Sequence, residues 1–322
     1  MLALGDGDPT SVKRTWPWAA DRLWVSLGER ECCSVEILKV LLAADPQFGR
    51  KMLPVAELND QRRVTESLPL GHYLVIMWIR YNRYAYISAV LMSDPHLLGM
   101  RNVAGILLLH HILAMKPGIP MDQSWLLHLL DQTQNTLGLL GRHEIGPQRR
   151  LHEKQLPLHV ALAWRQSGAV IKRMISLYPH SLSVATEGGG NSLPLHVALE
   201  NMNPTSVVEH MIQLHSKALS SKKAGQMLPL HIAAQNCYPV SLLRLMIELY
   251  PESIAIPDDK DNGFLHFVAS GMTLKGSISE SAGVMAFSLK VFGEGARLKN
   301  GDGMIPLHFL ARGLSCGGST TC

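Results

Sequence analysis

Leu156-Pro157-Leu158-His159 returns intact at Leu193-Pro194-Leu195-His196 and at Leu228-Pro229-Leu230-His231. A near copy stands at Ile305-Pro306-Leu307-His308, and a worn one, Phe264-Leu265-His266, lies between. The histidines at 159, 196, 231, 266 and 308 are therefore 37, 35, 35 and 42 residues apart. A period of this size marks one small supersecondary unit used repeatedly.

Proline is at no disadvantage in the first turn of a helix, where the N–H it lacks has no intrahelical partner. Each Leu-Pro is thus expected to start a short helix. Leu158, Ala161 and Leu162 then form one apolar face, as do Leu195, Ala198 and Leu199, and Leu230, Ala233 and Ala234. A second helix is expected after the polar breaks Gln166-Ser167-Gly168, Asn203-Pro204 and Cys237-Tyr238-Pro239. Its apolar doublets are Val170-Ile171 with Met174-Ile175, Val207-Val208 with Met211-Ile212, and Leu242-Leu243 with Met246-Ile247. Tyr178-Pro179 and Tyr250-Pro251 end two of these helices, because a residue before proline avoids the helical region. Polar, glycine-bearing loops lead to the next motif.

This pattern resembles the ankyrin repeat: a turn and two antiparallel helices opening on Thr-Pro-Leu-His, at a period near 33. The resemblance covers about residues 151–312. It implies an all-α fold, an ankyrin-like helical solenoid of helix-turn-helix repeats joined by short loops or hairpins. One departure is that the family's threonine is Leu156, Leu193, Leu228 or Ile305 here. The family's hydroxyl helps to satisfy the motif histidine, so structural His159, His196, His231, His266 and His308 are expected to depend on backbone partners in the adjacent loop.

The N-terminal half carries fainter echoes. Ile37-Leu38 and Leu41-Leu42 stand before Pro46, and Tyr86-Ile87 and Val90-Leu91 before Pro95, at the offsets of the doublets before Pro179. Leu68-Pro69-Leu70-Gly71-His72 is the opening motif with one residue inserted, and Leu107-Leu108-Leu109-His110 could open a further unit, with Trp125–Leu130 in its second helix. The expected organisation is a tail over 1–15, a first helix over 16–27 within divergent repeats over 16–136, a loop or hinge over 137–155, repeats over 156–312 and a tail over 313–322. A separate helical domain over 16–136 is the alternative. In the fourth regular unit, Gly271 to Ala282 is expected as a Gly- and Ser-rich break, with the second helix over about Val284 to Phe292. No second helix is expected after Arg312, which leaves Leu307, Phe309 and Leu310 partly uncovered.

Of the 322 residues, 17% are charged and 47% apolar. Few charges on a large surface leave apolar area exposed, which usually marks a partner site or a missing piece of protein. A net charge of +4 is too mild to point to nucleic acid or an anionic membrane. Five scattered cysteines without a Cys-x-x-Cys pair suit reduced thiols in a cytoplasmic or nuclear protein. No secretory signal is visible, and the apolar stretches 73–79 and 103–114 are too short to span a bilayer.

Chemistry-bearing patterns are thin. Motif histidines on successive packed helices would be ~8–10 Å apart, too far to share a zinc ion. His152-Glu153-Lys154-Gln155-Leu156 has leucine where a zinc-protease helix needs its second histidine, and neither His110-His111 nor His143-Glu144 has further ligands nearby. Gly188–Gly190 and Gly293-Glu294-Gly295 lack the context of a phosphate loop. No nucleophile has a plausible base. The expectation is a non-enzyme without cofactor or metal. The arginine-aromatic stretch Trp78–Tyr86 suits either a helical corner or an interface hot spot, the corner being the plainer reading.

The resemblance also implies where a partner docks: the concave groove, from loop tips and the ends of first helices. Matched positions are Trp164, Glu200, Asn201, Gln235, Asn236 and Arg312 on the helices, with tips including Lys222, Lys223, Asp258 and Asp259. Trp164 either anchors the partner or folds onto the next unit. The expected function is protein binding by a monomer, with an unidentified protein as partner. The alternative is a regulatory or adaptor region of a larger enzyme or ubiquitin-ligase-type protein.

Overall fold

A computed structural model describes residues 35–44, 52–53, 68–69, 74–75, 78–79, 83–101, 105–114, 122–132, 137–138, 141–142, 154–188, 190–275 and 278–316. They are mostly helical. The described strands form two antiparallel pairs, Met52–Leu53 with Leu68–Pro69 and Gly141–Arg142 with Lys154–Gln155. The chain divides into two compact units, one of residues 1–112 and 118–126, the other of residues 113–117 and 127–322. The tail over 1–15, the helix over 16–27, and Gly71-His72 lie outside the described residues.

In the first unit, helix Val35–Ala44 packs on helix Tyr84–Ser93. The latter buries Ile87, Val90 and Leu91 and stops at Asp94, whose φ of −144° leads into a 3-10 turn over Pro95–Gly99. Leu68-Pro69 differs from the expected helix opening, because its residues are paired in a strand. Trp78 is buried at 2% exposure and lies 5.6 Å from the Tyr86 ring, so these two aromatics of the stretch pack on each other. Tyr84 Oη accepts from the Asp122 N–H, and Trp125 Nε1 donates to Ser88 Oγ.

The second unit contains the regular helix pairs. First helices run over Pro157–Ala163, Pro194–Glu200, Pro229–Gln235, Phe264–Lys275 and Pro306–Cys316. Each packs on the next in chain order. Proline is the first helical residue in four of the five, as expected from its missing N–H. Second helices run over Gly168–Leu177, Thr205–Leu214, Val240–Leu249 and Ile278–Val291. The doublets of the first three are buried, apart from half-buried Ile247. Fully burying one such aliphatic side chain is worth about 1.5–3 kcal/mol. Each second helix then stops at a residue with φ between −141° and −145°, followed by a 3-10 turn. Asp94 of the first unit has the same geometry.

The turn between the helices of a pair is also repeated. Arg165, Met202 and Cys237 adopt left-handed φ of 53°, 53° and 51°. The next residue donates back five positions along the chain, Gln166 to Ala161, Asn203 to Ala198 and Tyr238 to Ala233, at 2.9–3.0 Å. This is the Schellman closure, with non-glycine residues where glycine is usual.

The fourth pair corrects the expected break over Gly271 to Ala282. Its first helix continues to Lys275, and its second begins at Ile278. Gly271 is helical because it packs: a Cβ there would collide with Gln235 O and stand 2.9 Å from Ala234 O. Its glycine permits close approach to the preceding helix and does not interrupt its own. The last helix likewise runs to Cys316, past the end expected at Arg312.

Loop tips connect the pairs. Each folds back on itself, with Lys223 N–H donating to Met227 O, Asp258 to Asn262 and Asn300 to Met304, at 2.9–3.1 Å. Each also bonds to the preceding tip: Ala224 N–H donates to Gly190 O, Asp259 to Gly225 O and Gly301 to Lys260 O. Gly225 and Gly303 have φ of 81° and 75°, which a side chain would strain.

Candidate functional site

Each motif histidine is the third residue of its helix, and its Nδ1 accepts from the backbone N–H of the residue just before the helix, three positions upstream. Leu156, Leu193, Leu228, Gly263 and Ile305 donate to the Nδ1 of His159, His196, His231, His266 and His308 at 3.0–3.3 Å. An Nδ1 that accepts leaves the proton on Nε2. That atom reaches a carbonyl of the following loop: Ser221 O for His196, Ile256 O for His231 and Met304 O for His266, at 2.9–3.1 Å. The backbone partners expected in place of the threonine hydroxyl are therefore present for these three. His159 differs. The Ser192 and Val184 carbonyls act on its ring, but its Nε2 makes no hydrogen bond of ordinary geometry. His308 is exposed.

Burial disfavours the imidazolium. It lowers His159, His196 and His231 to about 4, against the upward pull of the backbone carbonyls. Lys223 adds to the lowering at His196. At His231, Asp258 opposes it and Lys222 adds to it. These rings are neutral brackets between a helix start and the next loop.

The proposed groove residues divide by what their side chains already do. Asn201 Nδ2 donates to Val197 O at 2.8 Å, and Asn236 Nδ2 to Leu199 O at 3.1 Å. Asp258 accepts from the Lys260 and Asn262 N–H groups and from Asn262 Nδ2, at 2.7–3.0 Å. Glu200 pairs with Lys223, joining a first-helix end to the next loop tip. Trp164 is the half-buried last cap of its helix, and Gln235 is half-buried at the end of its own. Lys222, Asp259 and Arg312 are exposed. Lys222, Lys223, Asp258 and Asp259 come together through the tip-to-tip bond from Asp259 to Gly225. Arg312 lies on the last first helix, two helix pairs further along the chain.

Sequence reasoning missed the bridge around Tyr238. Its hydroxyl donates to Asn203 O at 2.9 Å, while Asn203 Nδ2 donates to Leu162 O at 2.9 Å. Burial pushes the Tyr238 phenol well above the usual phenol range. The signal available in the sequence was positional, since Asn203 and Tyr238 each stand directly before the proline that precedes the second helix of their pair.

Among the described residues, no three histidine, cysteine or acidic side chains are grouped to hold a metal ion. Among the same residues, no helix is long and apolar enough to cross a membrane. No protein-family model matches the chain, and no curated protein matches it.

Proposed function

We propose that the chain is an ankyrin-like repeat stack and that it binds a protein partner non-enzymatically through its loop tips and first-helix ends. The observation that carries this reading is the tip-to-tip backbone bonding. Ala224 to Gly190, Asp259 to Gly225 and Gly301 to Lys260 hold successive tips in register without using side chains. Tip side chains outside this framework, such as Lys222 and Asp259, can vary while the row keeps its register, and preorganisation of that kind limits the entropy lost on binding. Lys222 on one tip and Asp259, Lys260 and Asp261 on the next are exposed charges of both signs, and they suit a partner of mixed charge.

The site narrows relative to the first list. Asn201, Asn236 and Asp258 hold backbone, so their replacement would disturb folding as well as contact. Lys222, Gln235 and Asp259 are the better contact residues. The test is proximity crosslinking with a photoreactive residue at Lys222 or Gln235, compared with one at Lys172 on a second helix. A discrete protein adduct from the first two positions, lost in a Lys222→Ala, Asp259→Ala double variant of unchanged circular dichroism, is expected. Equal adducts from Lys172 would remove the reading.

A second reading is favoured by Leu307, which is 63% exposed on the last first helix. It is a regulatory or adaptor role within a larger assembly that covers this face.

A further inference from the structure

The last residue of every second helix is apolar, and three of the four stand well out in solvent. Leu214 is 54% exposed, Leu249 49% and Val291 44%, while Leu177 at the same position is half-buried. Each is followed by a half-buried ring: Tyr178, His215, Tyr250 or Phe292. Positions 177, 214, 249 and 291 are 37, 35 and 42 residues apart, against 37, 35 and 35 for His159, His196, His231 and His266 of the same four pairs, and the extra 42 − 35 = 7 residues lie within the longer helices of the fourth pair. They are one position of the repeated unit.

Second helices lie beside one another. A Cβ on Gly168 would stand 3.3 Å from Val207 Cγ2, and the Arg244 guanidinium lies 5.2 Å from the Phe287 ring centroid. Neighbouring packed helices are ~8–10 Å apart, so the four aliphatic-aromatic pairs form a strip with a step of about that size. Single exposed leucines need no explanation, but a contiguous apolar row marks an interaction surface.

The chain itself shows what covers one step. Leu137 is buried at 3% exposure, and the adjoining Gly138 lies on Tyr178, where a Cβ would stand 3.3 Å from both Cζ and Oη. Gly138, next to buried Leu137, thus sits on the ring of the first step, the one whose aliphatic residue, Leu177, is the least exposed. We propose that the remaining steps, at Leu214, Leu249 and Val291, bind a leucine- and glycine-bearing segment of another protein in the manner of Leu137-Gly138. This surface uses none of the loop-tip residues, so it stands or falls independently of that reading.

The probe is a fluorescein-labelled peptide copying Thr136 to His143, titrated with the full chain and followed by anisotropy. Saturable binding is expected, weakened about tenfold or more by Leu249→Glu and by Val291→Glu in the protein. Substituting serine for the leucines of the peptide is expected to abolish it. Both protein sites are exposed and lie on different helices, and unchanged thermal melts confirm that each variant folds. Equal binding by wild type and both variants, equal binding of the serine peptide, or no binding up to about 1 mM would each overturn the proposal. So would sedimentation showing self-association lost in Leu249→Glu without peptide binding, which would give the strip to a second copy of the chain.

Discussion

At the residue scale, a neutral imidazole does work that a charged one cannot. His196 accepts at Nδ1 from Leu193 and donates at Nε2 to Ser221. Protonation would put an N–H where the Leu193 N–H already points. The folded values near 4 for His159, His196 and His231 lie below the ordinary value of 6.5. In the unfolded chain these rings take up a proton first as pH falls. Their stabilisation is therefore complete above about pH 6.5 and is lost progressively as pH falls through 4, by on the order of 3 kcal/mol per ring at most. Urea midpoints measured between pH 7.5 and 4.5 are expected to be flat at the upper end and to drop steeply below 6.5. A drop of the same size in the triple His159, His196, His231→Gln variant would show that other groups are responsible.

At the scale of the element, the turn inside each pair closes with a side chain where glycine would be unstrained. Met202 is 40% exposed at φ 53°, so its side chain contributes little to set against the left-handed backbone. Met202→Gly is expected to stabilise the protein by about 1 kcal/mol, read as a rise in melting temperature. A fall would show that the methionine packs usefully. These elements also show how far sequence carries. The proline-initiated helices and their doublets were legible because one residue type has one physical reason to stand there. Gly271 was misread, because a glycine that loosens a helix and one that lets two helices touch look identical until the neighbouring Gln235 carbonyl is known. The groove residues were only partly legible. Position picked out Lys222 and Asp259, but nothing in the sequence says that the Asn201 and Asn236 amides are spent on Val197 and Leu199 carbonyls.

At the scale of the molecule, first helices pack on their chain neighbours, so the effect of a lesion depends on its place in the row. His196 is buried between two loops, whereas His308 is exposed and its resolved bond is the one from Ile305. His196→Ala should cost about 1–3 kcal/mol, since buried partners are left unpaired, and His308→Ala less than about 1 kcal/mol. Comparable losses in the two variants, measured by denaturant unfolding, would mean that the last helix is as enclosed as the middle ones.

The bond from Gly301 to Lys260 has one more consequence. His266 and His308 are 42 residues apart where the preceding pair is 35 apart, so this segment carries 42 − 35 = 7 extra residues. The added length appears in the two longer helices, Phe264–Lys275 and Ile278–Val291, and the tips still meet in register. The chain can therefore lengthen or shorten at the bend between paired helices while the row of loop tips keeps its spacing.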